Sequence, residues 1–447
     1  MRGRWRRWIY ALKAGAWDAY FHPRVAPYVS CACLLASMLC RPVLRRASFS
    51  LLCRAHRLLL VMGPGDTFAV RLSAIIERNL RTACAAGGLV QAVAGSTGAA
   101  QESHREALNL AGLVLKAPRR DGARVVEKGV LLLKNTERFD AFRAHVDMAG
   151  LLQSYALVLE PSWSGYAHPR LLSFCVHAER PVVVMSPCRE DHQFLERLNS
   201  NLRPIAIGAS DWVDPGVFRP LQGQQKHFDA VMISRWTVQK RHHLLFRALH
   251  RIGDPSFRVA LMASNRVPGV DRDAILSAIN AQDLAGQITV FEDRPPAQVN
   301  EVLNQSRVNL ILSRQEGSNR SLFEGFFAGV PGLAFANHLG IPKTHFNPQT
   351  GWLIAEHELA DTLLHFRRRA SDFNPRPWAL AHIAPELTTA KLNGVLKGLA
   401  EARHEPWTRD IVAKCNCSDA RYYPDPRAGQ GLPTLADLLA QFPRRAE

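Results

Sequence analysis

Two glutamates, Glu316 and Glu324, stand eight positions apart and join a polar, glycine-containing segment to an apolar one. A carboxylate can accept two hydrogen bonds and therefore suits the neighbouring hydroxyls of a sugar or a ribose. The apolar run 308–312 before them predicts a buried strand, and the apolar residues around Glu324 predict a helix. The unpaired N–H groups and positive dipole at a helix start suit phosphate oxygens. A phosphate seat beside two carboxylates indicates a sugar nucleotide as the ligand.

The surroundings of these glutamates resemble the E-x7-E signature of the retaining family-four glycosyltransferases. The residues that match the signature, including its Gly-x-Pro end, are Ser313, Glu316, Gly317, Glu324, Gly329 and Pro331. The resemblance implies that Glu316 hydrogen-bonds the donor sugar and that Glu324 hydrogen-bonds the ribose. Three residues at the predicted helix start are also expected to bind the donor: Gly317, Ser318 and Asn319. From the residues alone, a solvated helix start above a buried phenylalanine face remains the alternative.

A second candidate group, Arg235 and Lys240, follows the apolar run 228–233, which predicts a strand. Family members carry Gly-Arg-x(3–4)-Lys here, and the resemblance implies that both cations hold the donor diphosphate. Negative charge grows on the β-phosphate as the sugar leaves, and fixed cations lower that barrier. The alternative is a pair of ordinary surface charges. Because no Asp-x-Asp motif stands at a predicted strand end, we predict transfer without a metal ion or other cofactor.

Two positions depart from the family pattern. Ser234 replaces the glycine before the arginine, and its side chain would crowd the approach of the backbone to a phosphate. Lys343 stands where relatives often have a glutamate, so the role of that acid does not carry over. The departures fit activity on an unusual donor or acceptor, or an inactive transferase.

From residue 57 onward, predicted strands and helices alternate, which indicates open α/β layers with parallel sheets. The predicted strands are 58–62, 130–133, 155–159, 181–185, 205–208, 228–233, 257–262, 288–291, 308–312 and 332–335. The predicted helices include 68–80, 142–154, 191–199, 241–250, 297–304 and 387–401. Together with the resemblance, this alternation predicts the GT-B fold, two doubly wound Rossmann-like domains that face each other across a cleft.

The expected domains are 1–56, a basic N-terminal extension; 57–214, an acceptor domain; 226–375, a nucleotide-sugar domain; and 376–447, helices that cross back to the first domain. The turn-rich segment 208–220 resembles the interdomain segment of the same family, so we place the hinge between residues 214 and 226. In the first domain, Gly65 follows a predicted strand in a Gly-Pro-Gly turn and is a candidate phosphate contact, or only a sharp corner. His168 is a candidate contact to the transferred sugar, or a structural residue.

Positive charge is concentrated at the N-terminus. Eleven arginines and lysines against one aspartate before residue 58 account for +10 of the net charge of +17. The interleaved aromatic residues suit the headgroup layer of an anionic membrane. We therefore expect a cytoplasmic protein with residues 1–56 attached to the inner membrane face; a helical hairpin on the protein's own body is the alternative.

The sequence thus predicts a retaining, metal-independent glycosyltransferase that uses a nucleoside diphosphate sugar and a glycan or lipid-linked acceptor, in cell-surface polysaccharide or glycolipid synthesis. A catalytically silent scaffold protein is the competing hypothesis. A nucleic-acid partner is disfavoured because more than half of the excess charge lies in the N-terminal segment. The nine cysteines lack a zinc-like spacing, so no metal site is expected.

Overall fold

The structure is a computed structural model that describes residues 2–62, 66–86, 112–264, 271–416 and 420–444. The chain divides into two compact units. Unit I combines Met1–His22, Ala209–Ala384 and Asn416–Asp419. Unit II combines Pro23–Gly208, Pro385–Cys415 and Ala420–Glu447. The chain passes from unit II to unit I at Ala209, a few residues before the hinge expected at 214–226.

Four helices precede the first strand: α1 Arg2–Tyr20, α2 Ala26–Cys40, α3 Arg45–Leu59 and α4 Thr67–Ala85. The strand predicted at 58–62 is wrong, because Leu58 and Leu59 end α3 with their side chains buried. A short apolar run fits a buried helix end as well as a strand. The helix predicted at 68–80 is confirmed as α4, and Asp66 caps it by accepting the Ala69 N–H at 3.0 Å. Gly65 and its turn lie outside the described residues.

The N-terminal segment is helical and folded against the two units. Helix α1 packs on unit I, where Tyr10 enters the core and Lys13 pairs with Asp271 at 2.9 Å. Helices α2 and α3 pack against each other in unit II. This arrangement corresponds to the alternative in which the segment rests on the protein's own body.

A separate property of these helices concerns their length and hydropathy. In the described part of the chain, every helix is too short or too polar to cross a membrane.

Unit II contains a five-stranded sheet of order β1-β4-β5-β6-β7, in which β1 is antiparallel and the other strands are parallel. The strands up to β7 are β1 Gly112–Lys116, β2 Arg119–Asp121, β3 Arg124–Glu127, β4 Gly129–Lys134, β5 Tyr155–Glu160, β6 Val182–Met185 and β7 Leu202–Ile205, with β2 and β3 in a separate ribbon. Its helices in this segment are α5 Phe139–His145, α6 Met148–Ser154, α7 Pro169–Leu172 and α8 Arg189–Leu198.

Two predictions in unit II are wrong. The strand predicted at 205–208 instead ends at Ile205, because pairing with β6 runs through Arg203 and Pro204, which do not read as a buried strand. The helix predicted at 142–154 is two helices. Asp147 separates them and caps α6 by accepting the Ala149 N–H at 3.1 Å.

Unit I contains a six-stranded, entirely parallel sheet of order β10-β9-β8-β11-β12-β13. Its strands are β8 Ala230–Ile233, β9 Val259–Ala263, β10 Ile288–Glu292, β11 Asn309–Ile311, β12 Gly332–Phe335 and β13 Gly351–Ile354. Its helices are α9 His242–Ile252, α10 Arg272–Ala281, α11 Pro296–Asn304, α12 Arg320–Phe327, α13 Leu359–Arg369 and α14 Pro375–His382. The strand order reverses between β8 and β11, so this sheet is doubly wound, as predicted.

The remaining elements are α15 Pro385–Glu401, β14 Lys414–Asn416, β15 Ala420–Tyr422 and α16 Leu435–Gln441. The segment 376–447, expected to return to the first domain, is divided: α14 lies in unit I, whereas α15 and α16 lie in unit II. Both units are α/β with largely parallel sheets, which confirms the predicted fold class of two Rossmann-like domains.

Candidate functional site

The reversal of strand order in unit I creates the setting of the site. Strands β8 and β11 are neighbours at the centre of the sheet. The connections that leave their carboxyl ends travel in opposite directions, and such a switch point opens a crevice at that edge of the sheet. The segment with Arg235 and Lys240 follows β8, and the segment with Glu316 follows β11. The topology therefore brings the two groups predicted from the sequence side by side.

A pocket of about 760 Å³ lies in this position, within the size range of small-molecule sites. Five of the predicted site residues line it: Arg235, Lys240, Glu316, Asn319 and Glu324. All of them belong to unit I, so the pocket is formed by one unit. The residues proposed to bind the diphosphate, sugar and ribose therefore converge on one space.

Glu316 and Lys240 form a buried ion pair in the wall of this pocket, and the Lys240 ammonium donates to Glu316 Oε1. The Ser313 hydroxyl donates to the same oxygen at 2.7 Å. Burial alone would raise the pKa of Glu316, but the charge of Lys240 and the two hydrogen bonds outweigh it and hold the pKa below its usual range. Glu316 is therefore an ionised, oriented acceptor.

The backbone of the Glu316 loop is tied to the segment at 339–340. The Glu316 N–H donates to the Leu339 carbonyl at 3.0 Å, and the Leu339 N–H donates to the Arg314 carbonyl at 2.8 Å. Gly340 has φ of +102°, and a Cβ there would lie 2.1 Å from the Glu316 carbonyl oxygen. Only glycine permits this approach.

Glu324 lies deeper in the pocket wall, on the first turns of α12. Arg320 Nε donates to its carboxylate at 2.8 Å. Burial raises the pKa of Glu324, and the charge of Arg320 offsets that effect only in part. Asn319 caps the helix by accepting the Leu322 N–H at 3.2 Å. The start of α12 thus presents to the pocket its first helical turn and the Glu324 carboxylate, which Arg320 holds in place.

Two arginines that follow strand ends also line the pocket. Arg235 is exposed and makes no ion pair with any residue that the structure describes. Arg294 follows β10, lies 5.9 Å from the Phe291 ring centroid, and donates to Gln298 at 3.3 Å. The sequence reading missed Arg294, although its place just after a third parallel strand was a usable signal.

Gly317 and Ser318 do not line the pocket, in contrast to the expectation that they bind the donor. The buried Ser318 hydroxyl accepts the Ser210 N–H at 2.9 Å and so ties the loop to the segment at 209–212. The Gly317 carbonyl lies close to Gly340. Both residues hold the Glu316 loop in place.

Ser234, which replaces the family's glycine, also lines the pocket. Its hydroxyl hydrogen-bonds His242 Nε2 at 3.0 Å, at the first residue of α9. The side chain thus has a partner at the helix start.

The sequence reading also missed His338. Its Nε2 lies 3.4 Å from the Ser313 hydroxyl, and the ring is fully buried. Burial lowers the pKa of His338 to about 3; the carboxylate of Glu316 opposes this shift, and the positive charges of Lys240 and Lys343 add to it. A neutral imidazole therefore borders the carboxylate. A signal was present in the sequence, because His338 lies in the segment in which Lys343 departs from the family pattern.

His168 belongs to unit II, whereas the residues that line this pocket belong to unit I. Its Nδ1 accepts the Arg170 N–H at 3.2 Å and caps α7. Burial lowers the pKa of His168 to about 4, so the ring is a neutral acceptor at pH 7. With Trp163 and Tyr166 it lines a small cavity of about 70 Å³. These contacts fit the structural alternative for His168.

No protein-family model matches the sequence, and no curated protein matches it closely enough to count as a relative. The chain is similar in structure to TarM, with 16% identity over 60% of this chain and 54% of TarM and a TM-score of 0.48. It thus spans about half the length of TarM. It is also similar to sucrose-phosphate synthase from Thermosynechococcus elongatus (16% identity, 61% of this chain, 74% of that chain, TM-score 0.49) and to Anabaena HepE in complex with UDP and glucose (13%, 60%, 77%, 0.48).

Proposed function

We propose that this chain is a retaining glycosyltransferase of the family-four type. It would move a sugar from a nucleoside diphosphate sugar to a glycan or lipid-linked acceptor without a metal ion. The observation that carries the proposal is the pocket at the switch point of unit I, where Arg235, Lys240, Glu316 and Glu324 meet. The first two suit a diphosphate, and the two carboxylates suit a sugar and a ribose.

The proposed reaction breaks the bond between the anomeric carbon and the β-phosphate oxygen, and the electron pair stays on that oxygen. The acceptor hydroxyl forms the new bond on the same face of the sugar and gives its proton to the departing phosphate. Arg235 and Lys240 stabilise the charge that develops on this phosphate. Because Glu316 holds Lys240 in place, little reorganisation is needed when the bond breaks.

Glu316 and Glu324 would orient the two ends of the donor. The ionised Glu316 accepts hydrogen bonds from the sugar hydroxyls, and its low pKa keeps it an acceptor. Glu324 accepts from the ribose, with Arg320 fixing the carboxylate. Substrate positioning of this kind supplies a large part of a transfer rate, since the reacting groups are held in line.

Metal independence is a testable part of the proposal. The support is the supply of cations at the strand ends, where Arg235, Lys240 and Arg294 line the pocket. Transfer activity should persist in excess EDTA. Loss of activity in EDTA with recovery on addition of Mg²⁺ or Mn²⁺ would reject this part alone.

We assign the transfer reaction to the synthesis of cell-surface polysaccharide or glycolipid at the inner membrane face. The support is the basic segment at residues 1–56, with which a lipid-linked acceptor would be compatible. His168 remains a candidate contact to the transferred sugar within this proposal.

A thermal-shift series with UDP, GDP and ADP tests the donor site, because a ligand that binds only the folded state raises its melting temperature. We expect one nucleotide to raise Tm and Arg235→Ala to abolish the shift. Arg247→Ala, which removes an exposed arginine on α9, serves as the matched control and should keep the shift. No shift with any nucleotide would reject the donor site.

Turnover separates the enzyme from the silent scaffold protein. The sugar form of the stabilising nucleotide should be hydrolysed slowly without an acceptor, and Glu316→Gln should abolish this hydrolysis while it preserves the nucleotide-induced Tm shift. A wild-type chain that binds the nucleotide but turns over none of its sugar forms would favour the scaffold.

A further inference from the structure

Helix α2 of unit II carries an exposed apolar face. Tyr28 is 74% exposed and Leu39 is 81% exposed, and the half-exposed Leu35 lies between them at helical spacing. The turn that follows, at 41–44, adds Val43, which is 83% exposed. On a helix of a water-soluble protein, large apolar side chains normally face the protein core.

The buried face of the same helix carries two serines among its apolar residues. The Ser30 hydroxyl donates to the Ala55 carbonyl of α3 at 2.8 Å. Ser37 and Ser48 each donate to the backbone carbonyl of the other at 2.8 Å. Helix α2 therefore joins α3 through small hydroxyl side chains and turns two of its three leucines outward, an arrangement typical of helices that face lipid.

The charged side chains around this face are all positive. The sequence has no acidic residue between Asp18 and Asp66, and α2 itself has no charged residue. Exposed arginines lie at both ends of α2 and at the start of α3: Arg24, Arg41, Arg45 and Arg46. Guanidinium groups that flank an apolar face match the phosphates of an anionic leaflet.

The length of α2 fits a helix that lies in the headgroup layer. Its 15 residues extend about 22 Å, which is shorter than the roughly 30 Å of hydrocarbon in a bilayer. An uncharged helix with arginines at its ends can still bury one face at the boundary of the acyl chains.

We propose that the exposed face of α2 and the turn at 41–44 form the membrane-binding surface of this protein, with an anionic bilayer as its partner. This inference deepens the membrane location proposed above, but it does not depend on the donor chemistry. A second copy of the chain is disfavoured as the occupant, because the arginines around the two faces would repel each other.

Flotation of the full chain with vesicles tests the surface. We expect binding to vesicles of equal parts phosphatidylcholine and phosphatidylglycerol, and little binding to phosphatidylcholine alone. Leu35→Asp/Leu39→Asp should lower the affinity by about tenfold or more, since two buried leucines are lost from the interface. Arg45→Gln/Arg46→Gln should weaken binding at low salt, with a smaller effect at high salt.

The control is Leu387→Asp, which places one aspartate at a partly exposed leucine on α15 of the same unit and should bind like the wild type. Tm and the nucleotide-induced shift should be unchanged in the α2 variant, so failure of vesicle binding and failure of the donor site are read separately. Wild-type vesicle affinity in Leu35→Asp/Leu39→Asp would overturn the inference. Failure of the wild-type chain to bind either vesicle type would overturn it as well. If the wild-type chain formed dimers and Leu39→Asp converted them to monomers, the face would be assigned to a second copy.

Discussion

Lys240 and Glu316 depend on each other, because each would otherwise be a buried charge without a partner. Their side chains are only 14% and 9% exposed. Removal of one partner of such a pair is far more destabilising than removal of both. The pair therefore serves stability and, in the proposed reaction, catalysis, and mutations can separate the two roles.

We expect Lys240→Met to destabilise unit I by roughly 3 kcal/mol and to lower kcat by about 10²–10³-fold. The double variant Lys240→Met/Glu316→Gln should recover much of the lost stability and none of the activity. Urea unfolding and donor hydrolysis measure the two quantities. Recovery of activity in the double variant would contradict the assigned role of Lys240.

Gly340 offers a test of how the Glu316 loop is positioned. Gly340→Ala should destabilise the protein by about 1–3 kcal/mol, because the residue has φ of +102° and its Cβ would meet the Glu316 carbonyl. The control is Gly394→Ala on α15, where a Cβ meets nothing within 4 Å. That change should stabilise by about 0.5–1 kcal/mol, since alanine is the better helix former. Equal effects in urea unfolding would refute the loop contact.

At the scale of elements, α1 connects to both loops of the site through Asp18. Its carboxylate lies 2.9 Å from Arg241, 3.1 Å from His243 and 3.5 Å from Arg314. Arg241 follows Lys240 directly, and Arg314 precedes Glu316 by two positions. Helix α1 thus braces the loops that carry the ion pair.

Asp18→Asn should lower the stability of unit I by about 1–3 kcal/mol and weaken nucleotide binding, because Arg241 and Arg314 lose one of the two carboxylates that they share and keep only Glu356. Asp273→Asn, which breaks the exposed pair between Asp273 of α10 and Arg6 of α1, is the control and should change stability by less than about 1 kcal/mol. Titration calorimetry with the stabilising nucleotide measures the effect on binding. Unchanged affinity in Asp18→Asn would show that α1 does not brace the site.

The sequence predicted most elements of unit I, because buried parallel strands and amphipathic helices leave strong periodic signals. It also predicted that Arg235, Lys240 and Glu316 would meet, because their segments follow the carboxyl ends of parallel strands. It failed at 58–62, where an apolar run ends a helix, and it gave no sign that the Ser318 hydroxyl accepts a hydrogen bond from Ser210. Such choices depend on partners distant in the chain.

At the scale of the whole molecule, four histidines among the residues that the structure describes are held neutral by burial. Their pKa values are lowered to about 4 for His168 and His177, and to about 3 for His242 and His338. In the unfolded chain, a histidine titrates near pH 6.5. The unfolded state therefore binds more protons between these values, and stability falls as pH drops below about 6.5.

We expect a lower Tm at pH 5 than at pH 7.5. The fully buried His242 and His338 should each account for up to about 2 kcal/mol of the loss at pH 5. The double variant His242→Gln/His338→Gln should show a flatter dependence in this window. Carboxylates such as Glu77 and Glu127, whose pKa values lie at about 2 after hydrogen bonds and cations outweigh burial, should contribute only below about pH 4.5. If Tm changed equally steeply with pH in the wild type and in the double histidine variant, the assignment of this loss to His242 and His338 would be contradicted.

The most direct test of the donor site is a crystal structure of the full chain with the nucleoside diphosphate that raises its Tm. We predict that the diphosphate lies between Arg235 and Lys240, and that the ribose hydroxyls lie within hydrogen-bond distance of Glu324. A nucleotide bound at any other surface, with this pocket of unit I left without it, would contradict the account.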